Sequence, residues 1–205
     1  MQQSAALLVI DLQNDFCPGG ALAVPGGDTI VPLVNRLAQK FTTVILTQDW
    51  HPASHISFAA NHPGRQPFET TELPYGTQVL WPTHCVMGTP GAALHPGLAI
   101  PHANAILRKG LNPRVDSYSA FLEADRTTKT GLDGYLSSRG IRDVYLCGLA
   151  TDYCVAWSAE DSRKFGFNAT VLEDACRAIN LNDSLRLAWE RLAAAGVARL
   201  TSAQL

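Results

Sequence analysis

Val144-Tyr145-Leu146-Cys147-Gly148-Leu149-Ala150-Thr151-Asp152-Tyr153-Cys154 opens as an apolar run and closes where a helical pattern begins. The run 144–147 lacks a regular polar face, which suits a strand covered on both sides. The pattern after it, about 151–165, has Arg163 and Lys164 in its last turn and Gly166 just beyond, the marks of a helix end. The same grammar extends outward in both directions. Runs at 7–11, 44–47, 105–107 and 169–172 predict further strands, with a sixth at 197–201. A helix after Asp28 carries Ile30, Leu33, Val34 and Leu37, and 131–139 supplies another crossover. The last helix places Leu185, Trp189, Leu192 and Ala195 on one face, with Asn182 or Asp183 to cap it and Gly196 to end it. Alternation of this kind predicts a doubly wound α/β fold: a mainly parallel six-stranded sheet, helices on both faces, right-handed crossovers.

The chain has 205 residues, a length that predicts one domain over 1–205. Charged residues make up 17%, below the usual value of about 25%, and leave much of the chain for burial. Sixteen Lys and Arg face 18 Asp and Glu for a net charge of −2. That balance excludes the basic excess of a nucleic-acid binder, and no run of like charges forms an electrostatic tail. The longest apolar start ends at Asp11, too short for a membrane span or a signal core. Five unpaired-looking cysteines (Cys17, Cys85, Cys147, Cys154, Cys176) contain no Cys-x-x-Cys pair, which argues for free thiols and a cytoplasmic protein.

Residues 50–102 break the pattern. They hold eight of the twelve prolines and all six histidines. Proline at that density prevents long helices and central strands, while Trp50, Phe58, Phe68 and Trp81 give the stretch something to pack. It reads as an ordered excursion over one end of the sheet.

Ligands of open α/β sheets bind at the carboxyl ends of the strands, and three groups stand there. Asp11 ends the first strand, Lys109 follows the third, and Cys154 lies in the first turn of the helix after the fourth. A thiol at a helix start feels unsatisfied N–H groups and the positive dipole end, which favour the thiolate and could hold an oxyanion. Asp11 could move the thiol proton, and Lys109 could hold the carboxylate and stabilise the thiolate. The structural alternatives are a buried inert cysteine and an ordinary Asp–Lys ion pair. The other four cysteines lack this company and read as structural.

A second group is Asp49-Trp50-His51 with His84. Residues two apart on extended chain face the same way, so Asp49 and His51 can ligate one ion, with His84 folding back as a third ligand. Two imidazoles and a carboxylate suit one divalent metal, zinc first, with iron and manganese as alternatives, and leave positions open. His55 is a candidate fourth ligand; His62, His95 and His102 read as loop residues. Phe16, Trp81 and Tyr118 could wall a planar ring or simply pack beneath loops.

These residues resemble a known family. Ile10-Asp11-Leu12-Gln13-Asn14-Asp15-Phe16, Gln48-Asp49-Trp50-His51-Pro52, Trp81-Pro82-x-His84-Cys85-Val86, Lys109-Gly110 and Gly148-Leu149-Ala150-Thr151-Asp152-Tyr153-Cys154-Val155 are similar to the motifs of the nicotinamidase/pyrazinamidase family, within the isochorismatase-like cysteine hydrolase fold. Asn112-Pro113-x-Val115-Asp116-Ser117-Tyr118-Ser119-Ala120-Phe121 also resembles the bacterial members, and the matches run from about residue 6 to 200. The resemblance implies Asp11, Lys109 and Cys154 as the catalytic triad. It implies Asp49, His51 and His84 as metal ligands, and Phe16, Trp81 and Tyr118 as substrate-binding walls. The backbone N–H groups of Ala150 and Cys154 would form the oxyanion hole beside a cis Leu149–Ala150 peptide. The implied reaction is hydrolysis of nicotinamide, and of pyrazinamide, to the acid and ammonia through a Cys thioester. The pyridine nitrogen would sit on the metal, in the service of NAD salvage. Some members use a second histidine after the Asp-x-His pair, for which His55 is the nearest match, and position 153 is Tyr where others have His. Self-association is left open. The competing readings are a metal-hydroxide hydrolase, a carbamoyl or isochorismate hydrolase of the same superfamily, and an inactive pyridine-binding module.

Overall fold

The computed structural model describes residues 4–205. In chain order the strands are β1 (Ala5–Ile10), β2 (Thr43–Asp49), β3 (Thr70–Leu73), β4 (Gly76–Val79), β5 (Ala105–Lys109), β6 (Asp143–Leu149), β7 (Asn168–Arg177) and β8 (Ala198–Leu200). The helices are α1 (Val31–Ala38), α2 (Leu132–Ser137), α3 (Ala156–Lys164) and α4 (Ser184–Ala194). Six strands form one sheet in the order β5-β2-β1-β6-β7-β8, and every pairing in it is parallel. The mainly parallel six-stranded sheet with flanking helices is therefore the observed fold. Among the described residues no helix is long and apolar enough to cross a membrane.

The strand order dictates where a site can form. From β1 the chain steps outward through β2 to β5, then returns to β6 and steps the other way through β7 to β8. The reversal lies between β1 and β6, and right-handed crossovers on either side of it send α1 to one face and α2, α3 and α4 to the other. A crevice opens beyond the carboxyl ends of the two central strands. Gly148 makes their close approach possible: it has φ +118°, and a Cβ there would lie 2.1 Å from the Ile10 carbonyl oxygen. At the same point the β6–β7 register shifts, between Leu146 and Gly148.

The core follows the apolar runs. Every residue of β1 and β2 is buried, and Ile30, Val31, Val34, Leu37 and Ala38 cover them from α1 and the turn before it. The run at 105–107 departs from expectation. As β5 it is an edge strand that alternates, with Ile106 55% exposed, because only β2 pairs with it. The helix read at 151–165 begins as a π-helical turn, Thr151–Val155, before α3. At α4 neither Asn182 nor Asp183 caps with its side chain; both have left-handed φ, and Asn180 Oδ1 accepts the Leu185 N–H at 3.4 Å. The buried residues of α4 are Ala188 and Leu192, with Leu185, Trp189 and Ala195 half-buried.

The proline-rich excursion is ordered and lies over the strand ends. It contains the β3–β4 hairpin and is laced to the loop after β1: Asn14 N–H bonds the Ala93 carbonyl at 3.0 Å and His95 N–H the Leu12 carbonyl at 2.8 Å. Gln13 fastens it to β2, its amide donating to the Asp49 and Ala92 carbonyls and its oxygen accepting the Asp49 N–H, each at 2.8 Å. A second irregular stretch, 110–131, crosses the same end, and its Pro113 carbonyl accepts the Ile56 N–H at 2.9 Å.

Candidate active site

Three strand ends bring Asp11, Lys109 and Cys154 together. Asp11 follows β1 with φ 44°, in the region that L-residues rarely adopt, and its backbone N–H and Oδ1 both meet the Thr47 hydroxyl, at 3.1 and 2.6 Å. Lys109 ends β5, and its ammonium is fully buried. Its Nζ donates to the Ser117 carbonyl at 2.9 Å, to Cys154 Sγ at 3.4 Å, and to Asp49 Oδ1 in a short contact. Asp11 Oδ2 is 2.8 Å away in an ion pair.

Burial and charge set the protonation of this group. Burial, opposed by Lys109 and reinforced by Asp49, leaves the Asp11 carboxyl above the ordinary aspartate range. Burial likewise pushes the Cys154 thiol well above its usual value, with Lys109 pulling the other way. For Lys109 burial favours the neutral amine, but Asp11 and Asp49 override it and hold the ammonium charged. A neutral thiol beside a carboxyl group of raised pKa is a pair between which a proton can move.

Asp49 ends β2, and His51 and His84 converge on its other oxygen. Asp49 Oδ2 lies 3.6 Å from His51 Nε2 and 3.8 Å from His84 Nε2, and the ligand atoms of all three fall within 4.8 Å of one another. His51 Nδ1 faces the Gly110 carbonyl at 2.9 Å and His84 Nδ1 the Pro82 carbonyl at 2.7 Å. A carbonyl only accepts, so both rings donate from Nδ1 and turn Nε2 toward Asp49, the outer-shell arrangement of metal-binding histidines. Gly110 is required here: its φ is +70°, and a Cβ would lie 2.3 Å from His51 Cε1. Asp15 fixes the His84 corner, its Oδ2 accepting the Cys85 N–H at 2.7 Å. Burial favours the neutral Asp49 acid, but Lys109 and His51 outweigh it and keep the carboxyl well below the usual range. A candidate metal centre is thus present.

Between the two groups lies a small cavity. Phe16, Trp81 and Tyr118 line it together with Leu22, Tyr153 and Ile179, while Asp49, His51, His84, Asp116, Ala150 and Cys154 give its polar part. Trp81 meets Tyr118 and Tyr153 edge-on, at centroid distances of 6.4 and 4.9 Å. The Leu149–Ala150 peptide is cis, and the Ala150 carbonyl accepts the Tyr153 and Val155 N–H groups at 3.1 and 3.2 Å. His55 stacks on His51 at 4.2 Å, with Nδ1 against the Ser57 hydroxyl and Nε2 without a partner among the described residues. It forms a further group with His51 and Asp116. His62, His95 and His102 are tied to loop backbone, and all five cysteines are free and buried.

The isochorismatase domain family matches residues 5–204. Nicotinamidase of Acinetobacter baylyi is 58% identical over 199 residues, covering 97% of this chain and 93% of its own. The chain belongs to the nicotinamidase family. A solved nicotinamidase/pyrazinamidase of Acinetobacter baumanii superposes with a TM-score of 0.99 at 59% identity, over 100% of this chain and 99% of the other. The pyrazinamidase of Pyrococcus horikoshii, solved in complex with zinc, superposes at 0.79 with 36% identity, over 97% and 99% of the two chains.

Several residues of the candidate site carried no functional reading in the sequence. Thr47, Gln78, Asp116 and Ser117 are polar and buried around it, but they sit in no spacing that marks a ligand or a base. Asp152 clamps the far rim: its carboxylate accepts the Ile179 and Asn180 N–H groups and the Ser184 hydroxyl at 3.1, 2.7 and 2.5 Å.

Proposed function

We propose that the chain hydrolyses nicotinamide to nicotinate and ammonia, with Cys154 as nucleophile and Asp11 as proton carrier. The observation that carries this reading is an Asp11 carboxylate oxygen within 4.8 Å of Cys154 Sγ, with both residues against the Lys109 ammonium. Asp11 takes the thiol proton, and the Cys154 sulfur forms a bond to the carboxamide carbon. The backbone N–H groups of Ala150 and Cys154 receive the oxyanion, each such donor worth about 10²–10³ in rate. Collapse breaks the C–N bond, and Asp11 returns its proton to the departing ammonia. Water then attacks the thioester, Asp11 takes one of its protons, and nicotinate leaves as the thiol is restored. Lys109 stays charged throughout, compensating Asp11 and Asp49.

The donor set fits a divalent ion, held by Asp49, His51 and His84: two imidazole Nε2 atoms and a carboxylate oxygen face one another, and the Nδ1 atoms of both rings are fixed by carbonyls. Zinc is the first choice, with iron and manganese suited to the same donors. When bound, the ion supplies a Lewis-acid anchor for a ring nitrogen. Phe16, Trp81 and Tyr118 hold the flat ring so that its carboxamide reaches Cys154. Pyrazinamide has the same ring shape and the same carboxamide, so it is a second substrate, and production of nicotinate places the reaction in NAD salvage.

The test is ammonia release from nicotinamide by wild type and by Cys154→Ala, with metal content measured in parallel. Release by wild type alone supports the reading. Full activity in Cys154→Ala, or none in metal-loaded wild type, ends it.

A further inference from the structure

Gln78 is the one buried residue in the strands of the β3–β4 hairpin; its neighbours are half-buried or exposed. Packing alone would be met by an apolar side chain there, so the carboxamide calls for a reason. Its Nε2 lies within hydrogen-bond distance of three acceptors: the Val79 carbonyl at 2.7 Å, Asp116 Oδ2 at 2.8 Å and the Tyr118 hydroxyl at 2.9 Å. Its Oε1 accepts the Tyr75 hydroxyl at 3.2 Å, and that hydroxyl in turn accepts the Asp116 N–H at 3.4 Å.

The partners make the position informative. Tyr118 and Trp81 are two walls of the cavity, and the indole Nε1 of Trp81 donates to the same Tyr118 hydroxyl at 3.0 Å. Asp116 lines the cavity too, with its ligand atom within 4.8 Å of those of His51 and His55. One amide therefore meets a ring wall and the carboxylate beside the histidines, and reaches the second wall through the shared hydroxyl. Buried polar networks of this kind fix geometry tightly when every member is satisfied.

We infer that Gln78 is a positioning residue for ring binding: it ties Tyr118, and through it Trp81, to Asp116, so that the β3–β4 hairpin sets the width of the slot for a flat aza-aromatic carboxamide. The inference rests on the proposed amidohydrolase reading for its substrate class, but not on the chemistry at Cys154. Gln78 touches neither the reacting sulfur nor Asp11. Its loss should weaken binding of substrate and transition state alike, which raises KM and spares kcat.

The experiment compares metal-loaded wild type, Gln78→Leu and Tyr75→Phe. Steady-state kinetics on nicotinamide is paired with protection of Cys154 from iodoacetamide by added nicotinamide. For Gln78→Leu, KM should rise about tenfold while kcat stays within about threefold, and the protecting concentration should rise in step. Tyr75→Phe, which removes only the contact to Oε1 and the one to Asp116 N–H, should shift KM the same way by less. The unprotected alkylation rate should match wild type in both variants. A KM within about twofold of wild type in Gln78→Leu, or a fall in kcat with KM unchanged, overturns the inference. Should Gln78→Leu fail to fold, Tyr75→Phe decides: no change in KM or protection overturns it. A wild type that releases no ammonia defeats the amidohydrolase reading instead, while the protection assay still tests Gln78.

Discussion

Lys109 Nζ stands 2.8 Å from Asp11 Oδ2, and the same ammonium meets Asp49, the Ser117 carbonyl and Cys154 Sγ. One buried cation thus compensates two buried carboxylates and lies against the thiol. Lys109→Met would leave Asp11 and Asp49 buried, charged and facing each other. Breaking a buried pair in this way costs about 3–5 kcal/mol, and the loss should be visible as a lower urea midpoint with the slope unchanged.

Asp11→Asn keeps shape and hydrogen-bond reach but removes the proton acceptor. The catalytic rate should fall by about 10²–10⁴, the usual contribution of a general base. Metal content, measured by elemental analysis, should stay at the wild-type value, since the proposed ligands are Asp49, His51 and His84.

The Cys154 thiol of the metal-free protein should stay protonated at neutral pH. Burial raises its pKa well above the ordinary value of 9.0, with Lys109 only partly opposing. Iodoacetamide should modify it more slowly than free cysteine at pH 7, and the rate should climb as the pH passes above the free-thiol range. Rapid, pH-independent labelling would contradict this direction.

Chelation should separate binding from nucleophilicity. If the ion only anchors the ring, its removal abolishes turnover of nicotinamide, and adding zinc back restores it. Nicotinamide should also lose its power to protect Cys154, whereas alkylation without nicotinamide should change little.

Gly110→Ala is a test of the histidine scaffold. A Cβ at that left-handed position would sit 2.3 Å from His51 Cε1, displacing the ring and its bond to the Gly110 carbonyl. Loss of such an outer-shell partner typically lowers metal affinity about 10–100-fold. Competition with a chromogenic chelator would read this directly.

The apolar runs were enough to identify the parallel sheet, because strands covered on both faces have no room for alternation. Asp11 and Cys154 were legible for a related reason: a charged residue ending a buried run, or a thiol opening a helix after one, can only stand at the sheet's carboxyl edge. Edge strand β5 was read as a run like the others, since pairing on one side only is a property of the assembled sheet. Gln78, Asp116 and Thr47 were not legible at all. Each is an ordinary polar residue in sequence, and its burial against the site follows from loops that meet only once folded.

Sequence by itself determined the order of the six main-sheet strands and the four helices, the chemical types at the strand ends, and the collection of histidines in one proline-rich excursion; the β3–β4 hairpin within that excursion went unread. Tertiary structure alone decided which nitrogen of each histidine faces Asp49 and that Lys109 serves both carboxylates. Those facts are matters of ångströms between residues as distant as Asp11 and Cys154. They depend on the reversal of strand order between β1 and β6, on the backbone approach at Gly148, and on the carbonyls of Gly110, Pro82 and Ser117. A backbone carbonyl has the same chemistry at every residue, so only its placement in space distinguishes one that orients a ligand from one that faces solvent.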